Sequence, residues 1–304
     1  MSLVSIIVPC YRDAATLGRA LRSIFAQTYR NLEVIVVNDC SPETDQIEAV
    51  LRDFPAVRSL RNPRNLGLAA TRNTGVEAAT GEIVAFLDAD DEYHPQKIEL
   101  QLAALPAGGA ITCRTLDVSV NGQQAAGLPF LTRMPACTRM RGPRSIVWRN
   151  TLNGAGLLAS RALLRRFGGY DATLRSCEDF DLWLRLLEAK VPICRLESPL
   201  YVYHFNAAGL SKNVADISRW ELDAVTRHLA RMAAYGCLSW PDGLIRAAWL
   251  VRHLYRSELH DNVELRMNTL DSARRMTGHP FLSRALVLAG SLRLLRPLAL
   301  CRRK

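Results

Sequence analysis

The first hundred residues alternate between short apolar runs and amphipathic stretches. Residues 4–8, 32–37 and 83–87 are largely apolar runs too short for helices, each ending at polar or turn-forming residues, so they read as buried strands, and 57–60 reads as a further short strand. Between them, residues 14–27 set Leu17, Leu21 and Ile24 on one helical face. Residues 44–54 and 68–79 also read as helices, the second stopped by Gly81, and 96–105 forms another after the fourth strand. Such alternation predicts an α/β domain with a mainly parallel sheet covered by helices on both faces.

The pattern loosens over residues 106–150, where Gly, Pro and Arg are frequent and periodicity is weak. A long region of this kind often carries substrate contacts. Order returns at 156–159, with a helix over 161–167 and the turn Gly168-Gly169-Tyr170-Asp171. Residues 178–189 form an amphipathic helix with Phe180, Leu182, Trp183, Leu186 and Leu187 on its apolar side. Two short strands are predicted over 191–196 and 200–203, and a helical extension from about 214 onward.

The candidate chemistry gathers at strand ends. The fourth strand runs straight into Asp88-Ala89-Asp90-Asp91. A parallel strand delivers its last residues to the carboxyl edge of the sheet, where ligands of open α/β folds bind. Three carboxylates crowded there repel one another unless a cation joins them, and a divalent metal carrying a phosphate ligand does so. Asp90 or Asp91 could instead cap the helix that follows. The first strand ends in Pro9-Cys10-Tyr11-Arg12 and the second in Asn38-Asp39-Cys40-Ser41. A nucleotide base could stack near Tyr11 while a carboxylate accepts its imide N–H. A second acidic triplet, Asp179-Phe180-Asp181, opens a helix, where the dipole favours ionised side chains at Glu178 and Asp179. A carboxylate there can accept a proton from a hydroxyl, although acidic residues are common in first turns for the dipole alone.

Several classes lack their signatures. There is no GxGxxG after the first strand, no GxxxxGK[ST] and no GxSxG, which disfavours dinucleotide dehydrogenases, P-loop nucleotidases and α/β-hydrolases. The eight cysteines include no CxxC pair, so neither a zinc site nor a disulfide framework is expected, and a reduced, cytoplasmic setting fits. No secretory leader and no membrane span are expected either.

Taken in order, Val4-Ser5-Ile6-Ile7-Val8-Pro9-Cys10-Tyr11, Gln27-Thr28-Tyr29, Glu33-Val34-Ile35-Val36-Val37-Asn38-Asp39-Cys40-Ser41, Asn65-Leu66-Gly67 with Arg72-Asn73, Gly81-Glu82-Ile83, Phe86-Leu87-Asp88-Ala89-Asp90-Asp91 and Glu178-Asp179-Phe180-Asp181-Leu182-Trp183-Leu184-Arg185 resemble the family 2 glycosyltransferases over about residues 3–205. The resemblance implies a GT-A fold, a nucleotide-diphosphate sugar donor with uridine as the default base, Mn²⁺ or Mg²⁺, and inversion at the anomeric carbon. By position, Pro9, Tyr11 and Asp39 would cradle the base. Asp88 would lie near the ribose or donor sugar, with Arg72 and Glu178 also on the donor side. Asp90 would coordinate the metal, and Asp179 would be the general base. Where relatives carry Arg-x-His after the last strand, this chain has Tyr203-His204-Phe205-Asn206, leaving His204 as a candidate third ligand. Where processive relatives carry QxxRW, it has Asp216-Ile217-Ser218-Arg219-Trp220, so single-sugar transfer is expected. Residues 1–110 would then form the nucleotide-sugar half, 111–210 the acceptor and catalytic-base half, and 211–304 the helical extension. A sugar-nucleotide nucleotidyltransferase or a non-catalytic nucleotide-sugar-binding module are the alternatives.

Charge adds one feature. Of the net +10, residues 272–304 contribute eight basic side chains and no carboxylate. Arginines interrupt the apolar residues of 281–300, and each would cost ~2.5–3.5 kcal/mol near a bilayer centre. The tail therefore reads as an interfacial helix drawn to anionic lipid, the alternative being a helix packed on the catalytic domain with a solvated basic face. The first reading would place the protein at the inner face of a membrane, acting on a saccharide or lipid-linked acceptor in envelope polysaccharide or glycolipid assembly. The absence of aromatic-basic interleaving argues against nucleic acid as a partner.

Overall fold

A computed structural model describes residues 2–118, 128–205, 214–234, 241–259, 261–274, 284–285 and 287–288. The chain divides into two compact units, one of residues 1–143 with 151–209, the other of residues 144–150 with 210–304.

The first unit is built on one sheet. Its strands are β1 (Val4–Cys10), β2 (Leu32–Asn38), β3 (Val57–Arg61), β4 (Ile83–Phe86), β5 (Glu92–Tyr93), β6 (Ala110–Asp117), β7 (Cys137–Met140), β8 (Leu158–Ser160) and β9 (Ile193–Tyr203). They lie in the order β3-β2-β1-β4-β8-β6-β9-β5, with β7 also paired to β9. The β3-β2-β1-β4 portion is parallel throughout. Beyond it the ladders β4–β8, β8–β6, β9–β5 and β9–β7 are antiparallel, and only β6–β9 is parallel. The chain steps from β1 to β2 on one side and returns to place β4 on the other. The crevice beyond β1 and β4 is therefore a topological switch point, the usual ligand position in such sheets.

Helices α1 (Ala14–Phe25), α2 (Thr44–Leu51), α3 (Leu68–Ala78) and α4 (Lys97–Ala104) connect the first strands, and α5 (Arg161–Arg166) and α6 (Glu178–Glu188) the later ones. The core of the first unit joins the β1, β2 and β4 side chains to Leu17, Leu21 and Ile24 of α1, as the helical spacing requires. Helix α3 has little apolar surface and comes close to the sheet through a glycine. A Cβ on Gly75 would stand 2.3 Å from the Ile7 Cγ2. Arg72, one turn earlier on the same face, is thereby carried inward to the end of β4.

The loosely patterned stretch holds two strands that periodicity misses. β6 begins with four consecutive buried residues, Ala110 to Cys113, which do not alternate. β7 is an exposed edge strand whose sequence, Cys-Thr-Arg-Met, has no apolar face. The two short strands expected around Pro199 are one continuous β9. Its partner β6 shifts register on either side of Arg114, which lies opposite Pro199, so the proline is absorbed at an irregularity.

The second unit contains α7 (Val214–Ala234), α8 (Pro241–Leu259) and α9 (Val263–Arg274). Trp249 donates its indole N–H to the Val147 carbonyl at 2.5 Å, and Arg256 pairs with Glu221 at 2.6 Å. Among the described residues no helix is long and apolar enough to cross a membrane. Most of the basic tail falls outside the described residues.

Gly75→Ala should destabilise the fold by about 1–3 kcal/mol, because the added methyl displaces Ile7 or pushes α3 from the sheet. Urea unfolding monitored by circular dichroism measures this, and an unchanged midpoint would contradict the close-packing account.

Candidate active site

The strand ends meet as the sequence implies. Parallel register puts Cys10, Asn38 and Arg61 abreast. β4 ends three residues earlier in register, opposite Ile7, so the following residues turn across the crevice. Leu87 donates its N–H to the Ile7 carbonyl, and the Asp91 N–H closes a tight turn on the Asp88 carbonyl. Tyr11 stands at the mouth, 37% exposed, with the Arg12 guanidinium 5.4 Å from its ring centre. Pro9 is buried within β1.

Asp39 is buried and already engaged. Its Oδ1 accepts from the Asn62 side chain at 2.7 Å and the Leu66 N–H at 2.9 Å, and its Oδ2 accepts from the Gly67 N–H at 2.8 Å. The Asp39 carboxylate thus folds the 62–67 loop and sets the start of α3, with acceptor capacity remaining on Oδ2.

Arg72 joins two elements far apart in sequence. Its Nη2 donates to Asp88 Oδ1 at 2.8 Å and its Nη1 to Glu178 Oε1 at 2.5 Å. Its guanidinium carbon lies 5.4 Å from the Tyr170 ring centre. Burial disfavours its charge, but the adjacent Asp88 and Glu178 carboxylates more than offset this and hold it protonated. The Nε of Arg72 and the hydroxyl of Tyr170 are buried without a hydrogen-bond partner. Asn73, next along α3, accepts from the Tyr170 N–H and donates to the Tyr170 carbonyl at 2.9 and 2.7 Å. Arg185 of α6 donates to the Phe167 and Gly169 carbonyls while pairing with Asp181. The Gly168-Gly169 turn, which has positive φ at both glycines, is therefore held between α3 and α6.

Asp179 sits beside this network in the first turn of α6. Its Oδ1 accepts the Phe180 N–H at 2.7 Å. A Cβ on Gly154 would stand 2.3 Å from the Asp179 Cβ, so only glycine lets the 153–156 turn back the carboxylate so closely. Burial, followed by the neighbouring Glu178 charge, raises the Asp179 pKa to about 7, against the partial relief that Arg72 and the Phe180 N–H provide. A carboxyl group near 7 is well matched to taking a proton at neutral pH.

A second carboxylate group lies around the β4 turn. Burial and then Asp90 raise Asp13 to about 6; burial and then Asp88 and Asp90 raise Asp91 to about 8. Asp91 does not cap the next helix, which starts after Gln96. It is turned to β9, accepting from the Tyr201 hydroxyl at 2.7 Å and the His204 N–H at 2.8 Å. The His204 Nε2 lies 2.7 Å from Glu92 Oε1, and Arg19 donates to the Asp90 carbonyl at 2.5 Å. Among the described residues, no three His, Cys, Asp or Glu side chains converge closely enough to hold an ion unaided. The donor set nonetheless fits a hard cation, since one or two carboxylates completed by substrate phosphate is the usual Mg²⁺ arrangement.

The structure thus brings Tyr11, Asp88, Asp90, Arg72, Glu178 and Asp179 to one edge of the sheet. Pro9 and Asp39 lie beneath and beside it, and His204 at the end of β9. Sequence reasoning missed Asn62, Asn73, Tyr170, Tyr201 and Gly154, which act through tertiary contacts. The cysteines differ in their surroundings. Cys10 and Cys113 are buried, but Cys137 is exposed, and Cys40 and Cys177 hold left-handed backbone positions at the site. Cys237 and Cys301 lie outside the described residues.

Comparison with known proteins gives a family. The model for "Glycosyl transferase family 2" matches residues 5–167. An uncharacterized glycosyltransferase of Haemophilus influenzae is 29% identical over 240 residues, covering 75% of this chain and 78% of that protein. The succinoglycan biosynthesis protein ExoO of Rhizobium meliloti is 31% identical, covering 69% of this chain and 62% of that protein. Among other curated relatives the chain spans as little as 27% of the relative's length. The crystal structure of S. aureus TarS 1–349 in complex with UDP-GlcNAc superposes with a TM-score of 0.68 at 19% identity, covering 99% of this chain and 91% of that one. The chain belongs to glycosyl transferase family 2, and its mixed α/β sheet flanked by helices is the GT-A type of fold.

Arg72→Met leaves Glu178 buried beside no cation. It should cost about 3–5 kcal/mol, read as a lower midpoint in chemical denaturation. A midpoint within experimental error of the parent would show that Arg72 does not hold these elements together.

Proposed function

We propose that this chain moves a single sugar from a nucleotide-diphosphate donor, a UDP-sugar, to a hydroxyl of a saccharide or lipid-linked acceptor, with inversion. The observation that carries the reading is the placement of Asp179: a carboxyl raised to about 7, seated on Gly154 and joined through Glu178 and Arg72 to the β4 turn. Support for the donor comes from TarS, whose structure holds UDP-GlcNAc, and for polysaccharide assembly from ExoO, named for succinoglycan biosynthesis.

In this reading residues 1–110 form the donor half, 111–210 the acceptor half and 211–304 a helical extension. Tyr11 stacks on the base over Pro9, and Asp39 takes the base N–H through its remaining acceptor capacity. Asp88, with Arg72 and Glu178 behind it, orients the ribose and sugar. Asp90, assisted by the His204 ring nitrogen not engaged with Glu92, would hold Mn²⁺ or Mg²⁺, which when bound supplies positive charge beside the diphosphate. Asp179 accepts the proton of the acceptor hydroxyl as that oxygen bonds to the anomeric carbon. The bond from this carbon to the diphosphate oxygen breaks on the opposite face, and nucleoside diphosphate departs.

The membrane reading rests on charge. Beyond the basic tail, residues 118–170 contain eight arginines and no carboxylate. Phe130 and Met134, beside Arg133, are 59% and 47% exposed. Basic residues set among exposed apolar ones suit the face of an anionic bilayer. On this reading the protein works from the cytoplasmic side as a peripheral enzyme.

Asp179→Asn should lower transfer by ~10²–10⁴ while leaving UDP affinity within about twofold. In the parent, transfer should rise with pH through about 7, because the base must lose its proton to act. Asp90→Asn should abolish the Mn²⁺-dependent part of UDP binding in calorimetry. Full transfer by Asp179→Asn would refute the base assignment. Separately, deleting residues 280–304 should release the protein from anionic liposomes in co-sedimentation, and undiminished binding would exclude the tail as the anchor.

A further inference from the structure

Lys97 is fully buried in α4, and among the described residues it makes no ion pair. Its ammonium donates to Gln101 Oε1 at 2.7 Å and lies 4.0 Å from the centre of the Tyr93 ring. Burial lowers its pKa to about 8. An apolar side chain of similar length would fill the same space without desolvating a cation. The physical question is what the buried ammonium holds.

Two arms leave it. Along the first, Gln101 Nε2 donates to the Gly156 carbonyl at 2.9 Å. Gly156 ends the turn whose Gly154 backs Asp179, and the same turn is fixed by Thr112 Oγ1 donating to the Asn153 carbonyl at 2.7 Å. Along the second, the Tyr93 hydroxyl donates to the carbonyl of Phe86, the last residue of β4, two before Asp88. The Tyr93 ring meets Tyr201 edge to face at 6.1 Å. The Tyr201 hydroxyl accepts from the Asp88 N–H at 3.3 Å and donates to Asp91 at 2.7 Å.

We infer that Lys97 and Gln101 are positioning residues that fix the Asp179 carboxylate relative to the β4 carboxylate turn, by tying the 153–156 turn and the end of β4 to one buried ammonium. The inference rests on the reading of Asp179 as the general base. Lys97 locks the amide of Gln101: with Oε1 committed to the ammonium, Nε2 must face the Gly156 carbonyl. A neutral residue at 97 frees that amide to turn, and the turn behind Asp179 then loses one of its side-chain tethers, the others being the Thr112 hydroxyl on the Asn153 carbonyl and the Asn153 amide on Thr115. A displacement of about 1 Å at a reacting group can cost up to ~10² in rate.

The discriminating variant is Gln101→Glu. It keeps an oxygen acceptor for Lys97, and adds an ion pair with it, but offers Gly156 no N–H. The protein should stay folded with an unchanged or higher unfolding temperature, while kcat falls about tenfold or more and the UDP Kd stays within about twofold. Parent-level kcat in the folded variant would overturn the inference. So would parallel losses of kcat and UDP affinity, which would mark general damage. If Gln101→Glu does not fold, Lys97→Met is judged by the same criteria. Asp179→Asn, assayed alongside, separates the two readings. Loss of transfer there with parent-level Gln101→Glu would sink only the positioning role, and full transfer by Asp179→Asn would sink the base itself.

Discussion

A single buried guanidinium sets the geometry of the site. Arg72 is placed by α3, its two carboxylate partners by β4 and α6, and no local preference brings these three together. The link lies 3% exposed at Arg72, where an unpaired Glu178 would be severely penalised. Because the fork of Arg binds two acceptors in fixed directions, it orders Asp88 and Glu178 relative to each other, which a flexible lysine could not do. Asp179 adjoins Glu178, so the same link fixes the candidate base. The charges also divide the labour. Glu178 faces the cation directly, while Asp179 is raised chiefly by burial and the Glu178 charge, with Arg72 opposing the rise.

Backbone strain is concentrated at the same edge. Of five non-glycine residues with positive φ among the described residues, three are Arg12, Cys40 and Cys177, which follow β1, follow β2 and precede α6. Each costs of order 1–3 kcal/mol and persists only where surrounding contacts over-determine it. Those contacts are visible. The Arg12 N–H donates to Ser41 Oγ at 3.0 Å, and the Asp39 N–H donates to the Cys10 carbonyl at 3.0 Å, so the turns after β1 and β2 brace each other. The reversal turns Tyr11 to the mouth of the crevice and keeps Asp39 inside it.

The parallel half of the fold was legible because β1, β2 and β4 are largely apolar runs and α1 keeps its helical period. The acidic ends were legible because carboxylates at the end of such a run have no structural need to be there. What stayed hidden depends on partners. β6 and β7 lack periodicity because one is buried on both faces at its start and the other is exposed over its first three residues. Asn73 and Gly154 look like ordinary helix and loop residues until α3 meets the 168–171 turn and the 153–156 turn meets α6. Asp91 illustrates the converse error. Its position in the acidic run made it a metal or capping candidate, yet its oxygens serve Tyr201 and His204.

That use of Asp91 bears on how the acidic turn is stabilised. Asp88 and Asp90 raise the proton affinity of both Asp13 and Asp91, so the turn is under repulsion when all four are ionised. Two devices counter this. Arg72 neutralises Asp88 from behind, and hydrogen bonds from β9 disperse charge on Asp91. Arg19 also bonds the Asp90 carbonyl, tying α1 to the turn. Under the proposed function, a cation carried in with a diphosphate would relieve the repulsion within the turn, its charge counting for more there than on open surface. On the proposed function, the acidic turn would favour a metal-bound donor over a free nucleotide anion.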